Sequence, residues 1–449
     1  MKNERYGNEM KKAMIPFYTL FAMSAVTLGS FSFGFETVII SFALPLVADA
    51  FGLSLSLKSL AVSILLLGAV VGVLFSGPLS DRFGRKKAII VPAFLFVLST
   101  CIVYTSNHFL SFLVGRFISG IAVGFVSSCV PLFISEIAPK ELRGRLVAMH
   151  QVMICAGVFS ALVLGHLLLE QSVWKSMFFW GGVPPALLLI CMPFVSDSPG
   201  WLLAKGYGDR AYRSAAYYCL DMEAKETSSL LKKHSFQWRD LIFNPKIRLS
   251  LLIGGLLNLF QQITGINTLL YFVPEFIKQA GIASEEKKFY ATVLIGFVNI
   301  LFAFLASFLL DKVGRKILLI VSLAGMCLSL SLMILMQAYA TSFSEMGVFI
   351  FLVTYVSSFG LGMGPAVIVV CSEIFPLSIR GRALSFCFLV NWTTNFLVTL
   401  SFLPLEKLVG LKGILAGYAG LCILAILIVC CLVPETKGKS LSEIEKSNS

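Results

Sequence analysis

Long apolar runs alternate with short polar interruptions along the chain, and the runs match the thickness of a lipid bilayer. A helix rises about 1.5 Å per residue, so a hydrocarbon core about 30 Å thick needs roughly 20 mostly apolar residues. Such runs lie near 14–48, 58–78, 87–106, 109–134, 146–169, 175–195, 247–273, 289–310, 316–339, 346–375, 381–404 and 411–433. They predict an all-α membrane protein with twelve spans. The first and tenth runs exceed one bilayer thickness, which predicts tilt, kinks or extramembrane ends there. A single long polar segment, 196–246, separates the sixth run from the seventh. The expected organisation is a six-helix bundle at 1–195, a cytoplasmic linker with short helices at 196–246, a second six-helix bundle at 247–433 and a cytoplasmic tail at 434–449.

Composition agrees with the pattern. Hydrophobic residues make up 57% of the chain and charged residues 13%, against roughly a quarter charged in soluble domains. Membrane lipid is therefore the expected solvent for much of the surface, and the 39 Phe suit it. The first apolar run is too long for a cleavable signal peptide and carries a carboxylate. The net charge of +12 reflects where Lys and Arg sit. Of these residues, 28 fall on the side that holds both termini and the 196–246 segment, 7 on the other, and Arg116 lies inside a span. The positive-inside rule then puts both termini in the cytoplasm. Charge scattered over short turns gives no reason to expect a nucleic-acid partner.

The chain also repeats itself. Asp81-Arg82-Phe83-Gly84-Arg85-Lys86 returns as Asp311-Lys312-Val313-Gly314-Arg315-Lys316, 230 residues later. Glu136-Ile137-Ala138-Pro139 and Arg143-Gly144-Arg145 return as Glu373-Ile374-Phe375-Pro376 and Arg380-Gly381-Arg382, 237 residues later. Gly34-Phe35-Glu36-Thr37 returns as Gly265-Ile266-Asn267-Thr268, offset by 231. Matching order and matching membrane side predict two parallel six-helix repeats, the architecture of transporters that rock around a central site.

Three groups of residues carry candidate chemistry. In the doubled loop motif, Gly84 permits a tight turn, and Asp81 stands at a helix end where an anion needs a partner. In the seventh run, Gln261, Gln262 and Asn267 are amides at membrane depth, able to donate and accept as sugar hydroxyls do. They serve either a ligand in a wet cavity or hydrogen bonds between helices. Glu36 and Arg116 are lone charges inside the first and fourth runs. Each is costly there and pairing relieves both, whether the pair is functional or a static brace. His108, His150, His166 and His234 have neither metal nor triad spacing. No cofactor, metal or enzymatic chemistry is expected.

The doubled loop motif resembles that of the major facilitator superfamily. The sugar porter family is suggested by residues 136–145, by Gln261-Gln262-Ile263-Thr264-Gly265-Ile266-Asn267, by Trp238-Arg239-Asp240-Leu241 and by Pro434-Glu435-Thr436-Lys437-Gly438-Lys439-Ser440. The resemblance implies the major facilitator fold and a secondary transporter in the plasma membrane, or the inner membrane of a bacterium. It implies import of a monosaccharide or related polyol, with protons as the second partner if Glu36 and Arg116 couple. It adds Gln151, Tyr271, Ile368, Asn391, Trp392 and Asn395 to the substrate site. It also implies a cytoplasmic gate of ion pairs between the halves, built from Asp81, Arg85, Glu136, Arg143, Asp311, Arg315, Glu373 and Arg380. The chain departs from the family pattern where the tenth span has Ile368 in place of a Trp that packs on sugar, and Val158 in place of a Gln. Ser196-Asp197-Ser198-Pro199-Gly200 replaces Pro-Glu-Ser-Pro-Arg. An uncoupled facilitator is the nearest rival. A sugar sensor and an exporter of drugs or organic ions are more distant ones.

Overall fold

The computed structural model describes residues 17–139, 142–169, 173–220, 245–272, 284–338, 342–375 and 380–437. The Trp238-Arg239-Asp240-Leu241 motif and the side chains of Arg143, Asp311 and Arg380 lie outside the described residues. Among those residues the regular structure is helical throughout.

Among the described residues, eleven helical segments are long and apolar enough to cross a membrane. The last of them, Arg382–Leu432, has 51 residues. At about 1.5 Å per residue it would be more than twice as long as a hydrocarbon core is thick. It turns back at Gly410, whose backbone leaves helical geometry at φ 71° and ψ 167°. This segment is therefore the eleventh and twelfth spans, and the described residues hold twelve. Large apolar side chains such as Phe75, Phe94, Leu110 and Ile190 stay exposed on the outside of the bundle. In water that surface would be a liability, whereas in lipid it is the required solvent contact.

The fourth span, Phe109–Ile137, is the most enclosed of the described spans, and the sixth is the least. Small residues bring it against the second span, Leu55–Phe83. A methyl added at Gly120 would fall 1.9 Å from the Leu65 carbonyl oxygen, and one at Gly124 would fall 2.3 Å from that of Ala69. Lipid supplies no hydrophobic drive between helices, so close backbone approach does the packing here. Gly120→Ala should therefore separate the two helices and cost about 1–3 kcal/mol. The drop in thermal midpoint of the protein in detergent would measure it. A midpoint equal to wild type would rule out the close approach.

Among the described residues, four spans are broken, the sixth at Gly182 and three more. The first passes from Phe17–Val38 to Ile40–Phe51, the seventh from Pro245–Ile263 to Ile266–Tyr271, and the tenth from Ser342–Leu361 to Met363–Ile374. Gly265 makes the break in the seventh span possible. Its φ of +96° is costly for a residue with a Cβ, and an added Cβ would strike the Tyr418 ring. The Thr264 carbonyl, freed from the helix, accepts a hydrogen bond from the Tyr355 hydroxyl at 2.8 Å. Broken backbone at membrane depth survives only with such partners.

Candidate functional site

A cavity lies where the broken first, seventh and tenth spans meet. Gln151, Gln261, Gln262, Asn267, Tyr271, Ile368, Asn391 and Trp392, expected from the sequence to bind substrate, all line it. Val158 lines it too, at the position where the family pattern has a Gln. Asn395 does not. Its Nδ2 instead donates to the Tyr271 hydroxyl at 3.2 Å, so it orients a lining residue from behind.

The amides form one network. Adjacent residues on the seventh span, Gln261 and Gln262, point about 100° apart around the helix, yet both reach Asn391 of the eleventh span. Asn391 Nδ2 donates to Gln261 Oε1 at 2.7 Å, and Gln262 Nε2 donates to Asn391 Oδ1 at 3.0 Å. The break at Thr264–Gly265 lets Asn267 turn back and donate to Gln262 Oε1 at 2.6 Å. Gln261 Nε2 donates to the Met363 and Gly364 carbonyls, in the first turn of the second half of the tenth span. Gln151 Nε2 is bound only weakly, by the sulfur of Cys155 at 3.7 Å, which leaves it available to a solute.

Several residues of this region were not picked out from the sequence. Asn258 accepts from Asn391 Nδ2 at 3.2 Å. Its place one turn before Gln262 was the available signal. Phe33, Ser127, His150 and Asn299 also line the cavity. Trp392 joins two of them across the halves: its Nε1 donates to Ser127 Oγ at 3.2 Å, and its ring lies 5.3 Å from that of Phe33. Nothing in a linear reading ties the eleventh span to those residues on the first and fourth.

Glu36 and Arg116 do pair. Glu36 is 3% exposed and Arg116 1%. Arg116 Nη1 donates to Glu36 Oε2 at 3.1 Å and to the Glu36 carbonyl at 2.9 Å, while Ser119 Oγ donates to Oε2 at 3.0 Å. The guanidinium also sits over the Phe178 ring of the sixth span, 5.2 Å from its centroid. Arg116 Nε and Nη2 find no hydrogen-bond partner among the described residues. The pair adjoins the cavity: Thr37, next to Glu36, lines it.

At the end of the bundle that carries the Lys- and Arg-rich turns, the repeat becomes three-dimensional. Arg85 bonds Asp81 at 2.8 Å and Glu136 at 3.1 Å, and Arg315 bonds Glu373 at 2.8 Å. These described pairs close within each half, not between the halves as the resemblance implied. Arg85 opens the third span immediately after the Gly84 turn, beside the end of the fourth span where Glu136 stands, and Arg315 repeats this beside Glu373. They brace each half.

Acids from the segments that follow the sixth and twelfth spans complete the braces. Glu435 accepts from the backbone N–H of Arg315 at 3.0 Å and of Lys316 at 3.1 Å, capping the ninth span. Asp197, one methylene shorter, accepts from Lys86 N at 3.2 Å at the same place in the other half. Ser198 bonds Glu136 as Thr436 bonds Glu373. Burial would raise the pKa of Glu435, but the backbone N–H groups of Lys437, Arg315, Lys316 and Thr436 outweigh it and hold the carboxyl below its ordinary value.

Comparison with known proteins gives a consistent result. The family model described as Sugar (and other) transporter matches residues 22–447. The chain is 35% identical over 436 residues to plastidic glucose transporter 4 of Arabidopsis thaliana, covering 93% of this chain and 78% of that one. It is 32% identical over 460 positions to the galactose-proton symporter of Escherichia coli strain K12, covering 100% of this chain and 97% of the symporter. Its fold matches the proton:xylose symporter XylE bound to 6-bromo-6-deoxy-D-glucose with a TM-score of 0.83 and 29% identity, over 96% of this chain and 99% of that one.

Proposed function

The chain belongs to the Sugar (and other) transporter family, and from that premise we propose that Glu36 carries the coupled proton and that the amide-lined cavity holds the solute. The protein is a multi-pass membrane transporter of the major facilitator fold that imports a monosaccharide or related polyol by proton symport. One observation carries the assignment of residues: a buried carboxylate–guanidinium pair borders a cavity lined by amides that bond mainly to one another. Solute hydroxyls can exchange with such amide–amide bonds at little net cost, since both sides donate and accept.

Coupling follows from linkage. Burial favours a neutral Glu36, while Arg116 favours a charged one. A small movement of the first or fourth span changes that balance, so proton uptake is tied to one facing state and release to the other. The bundles at 1–195 and 247–433 are the bodies that rock. Arg85–Glu136 and Arg315–Glu373 keep each body rigid at its cytoplasmic end. The protein resides in the plasma membrane, or the inner membrane of a bacterium, with both termini cytoplasmic. Impermeant thiol reagents should then label a Cys placed at Ser56 or Ser284 from outside intact cells. Labelling of a Cys placed at Ser228 would reverse the orientation.

Sugar added to proteoliposomes or cells should make the medium alkaline as protons enter with it. Transport without proton movement would leave the uncoupled facilitator as the reading. For the solute site, Gln262→Ala removes the acceptor of Asn267 Nδ2 and the donor to Asn391 Oδ1. An unsatisfied buried polar group costs about 1–3 kcal/mol, so binding should weaken roughly tenfold. An unchanged affinity in this variant and in the alanine variants of Gln151, Gln261, Asn267 and Asn391 would remove the cavity from the mechanism.

A further inference from the structure

Gly181 of the sixth span stands against the proton-carrying carboxylate. An ideal Cβ built on it would lie 2.4 Å from Glu36 Oε1, and 3.0 and 3.1 Å from two ring carbons of Phe35. Real Cβ atoms do not approach an oxygen so closely, so the carboxylate occupies space that any other residue at 181 would fill. The other oxygen of the carboxylate, Oε2, is fixed by Arg116 and Ser119. The carboxylate is therefore held by hydrogen bonds on one side and by the bare backbone of Gly181 on the other. The sixth span also leaves regular helix here, since Trp174–Gly181 ends and Val183–Cys191 begins across Gly182. Phe178, one turn before Gly181, carries the Arg116 guanidinium on its ring. Both members of the pair thus rest on the sixth span, which is otherwise the least enclosed of the described spans.

We propose that Gly181 is a positioning residue for proton coupling: its missing side chain lets the carboxylate of Glu36 reach Arg116 and Ser119, and the sixth span thereby sets the geometry of the pair. The inference rests on Glu36 being the proton carrier. Gly181 has no positive φ, so an Ala there fits the backbone. The atom it displaces first is the far end of a flexible side chain, so the fold should tolerate Gly181→Ala while the carboxylate moves. Asp is one methylene shorter and withdraws from position 181.

The test measures uphill sugar accumulation and sugar counterflow in proteoliposomes for wild type, Glu36→Gln, Gly181→Ala, Gly182→Ala and Gly181→Ala combined with Glu36→Asp. Counterflow reports a folded transporter independently of coupling. A misplacement of about 1 Å at a reacting group costs on the order of 100-fold. Gly181→Ala should therefore lose nearly all proton-driven accumulation and keep counterflow. Gly182→Ala, whose new methyl would press on Thr100 and not on Glu36, should keep both. Adding Glu36→Asp to Gly181→Ala should restore accumulation above the level of Gly181→Ala alone. Wild-type accumulation in Gly181→Ala overturns the proposal, as does an equal loss in Gly182→Ala, or a combined variant no better than Gly181→Ala. If Glu36→Gln itself accumulates sugar like wild type, it is the assignment of Glu36 that fails, and that arm identifies it separately.

Discussion

Glu36→Gln should abolish uphill accumulation of sugar while leaving counterflow and downhill flux. Each proton entering across 100 mV releases about 2.3 kcal/mol, enough for a concentration ratio of roughly 50. Without a titrating group the ratio should fall to one. Gln preserves the length of the side chain and offers an oxygen to Arg116 Nη1 and Ser119 Oγ, which now bond Oε2 at 3.1 and 3.0 Å. The site should therefore keep its shape, and only the proton exchange is lost. Labelled sugar accumulation under an imposed pH gradient is the measurement. If the variant accumulates as wild type does, the pair is a structural brace.

Arg116→Ala should be more damaging, because it strands a carboxylate that is 3% exposed. Breaking one partner out of a buried pair costs about 3–5 kcal/mol. Since a folded domain has a margin of only about 5–15 kcal/mol, much of the protein should fail to fold or to reach the membrane. The cation–π contact with Phe178 disappears at the same time. Adding Glu36→Gln to Arg116→Ala removes the stranded charge and should recover folded protein, though not accumulation. Folded yield by size-exclusion profile in detergent separates the outcomes. Equal yields for Arg116→Ala and the double variant would mean that the two residues do not sense each other.

The two experiments bear on different properties of one pair. The first removes a proton site at nearly constant shape. The second removes the counter-charge and exposes the cost of burying the acid. The solute site is less fragile, because its amides share partners: Asn391 bonds Asn258, Gln261 and Gln262. Loss of one amide leaves others in place to regroup.

Much of this protein was legible before any coordinates. Hydropathy is summed over about 20 neighbouring residues, and a bilayer tests that sum directly, so the twelve spans could be read from the chain alone. The parallel repeat was equally plain, because duplication preserves order and offset. Glu36 and Arg116 identified themselves as lone charges in apolar runs, and Gln261, Gln262 and Asn267 as amides at membrane depth. Pairing beyond Glu36 and Arg116 was a different matter, because contact between remote residues depends on where helices break and how closely backbones approach. Only the tertiary structure closed Arg85 on Glu136 and Arg315 on Glu373 inside each half. It alone showed Asp197 and Glu435 to be two copies of one helix cap, each followed by a hydroxyl residue, Ser198 or Thr436, that bonds the acid at the end of its own half's fourth span. Asn395 moved from the cavity wall to a place behind Tyr271, and Gly181 came to rest against Glu36. A glycine in an apolar run carries no local sign of what faces it. Its importance is set by the space it leaves empty, and that space exists only once the first, fourth and sixth spans are packed together.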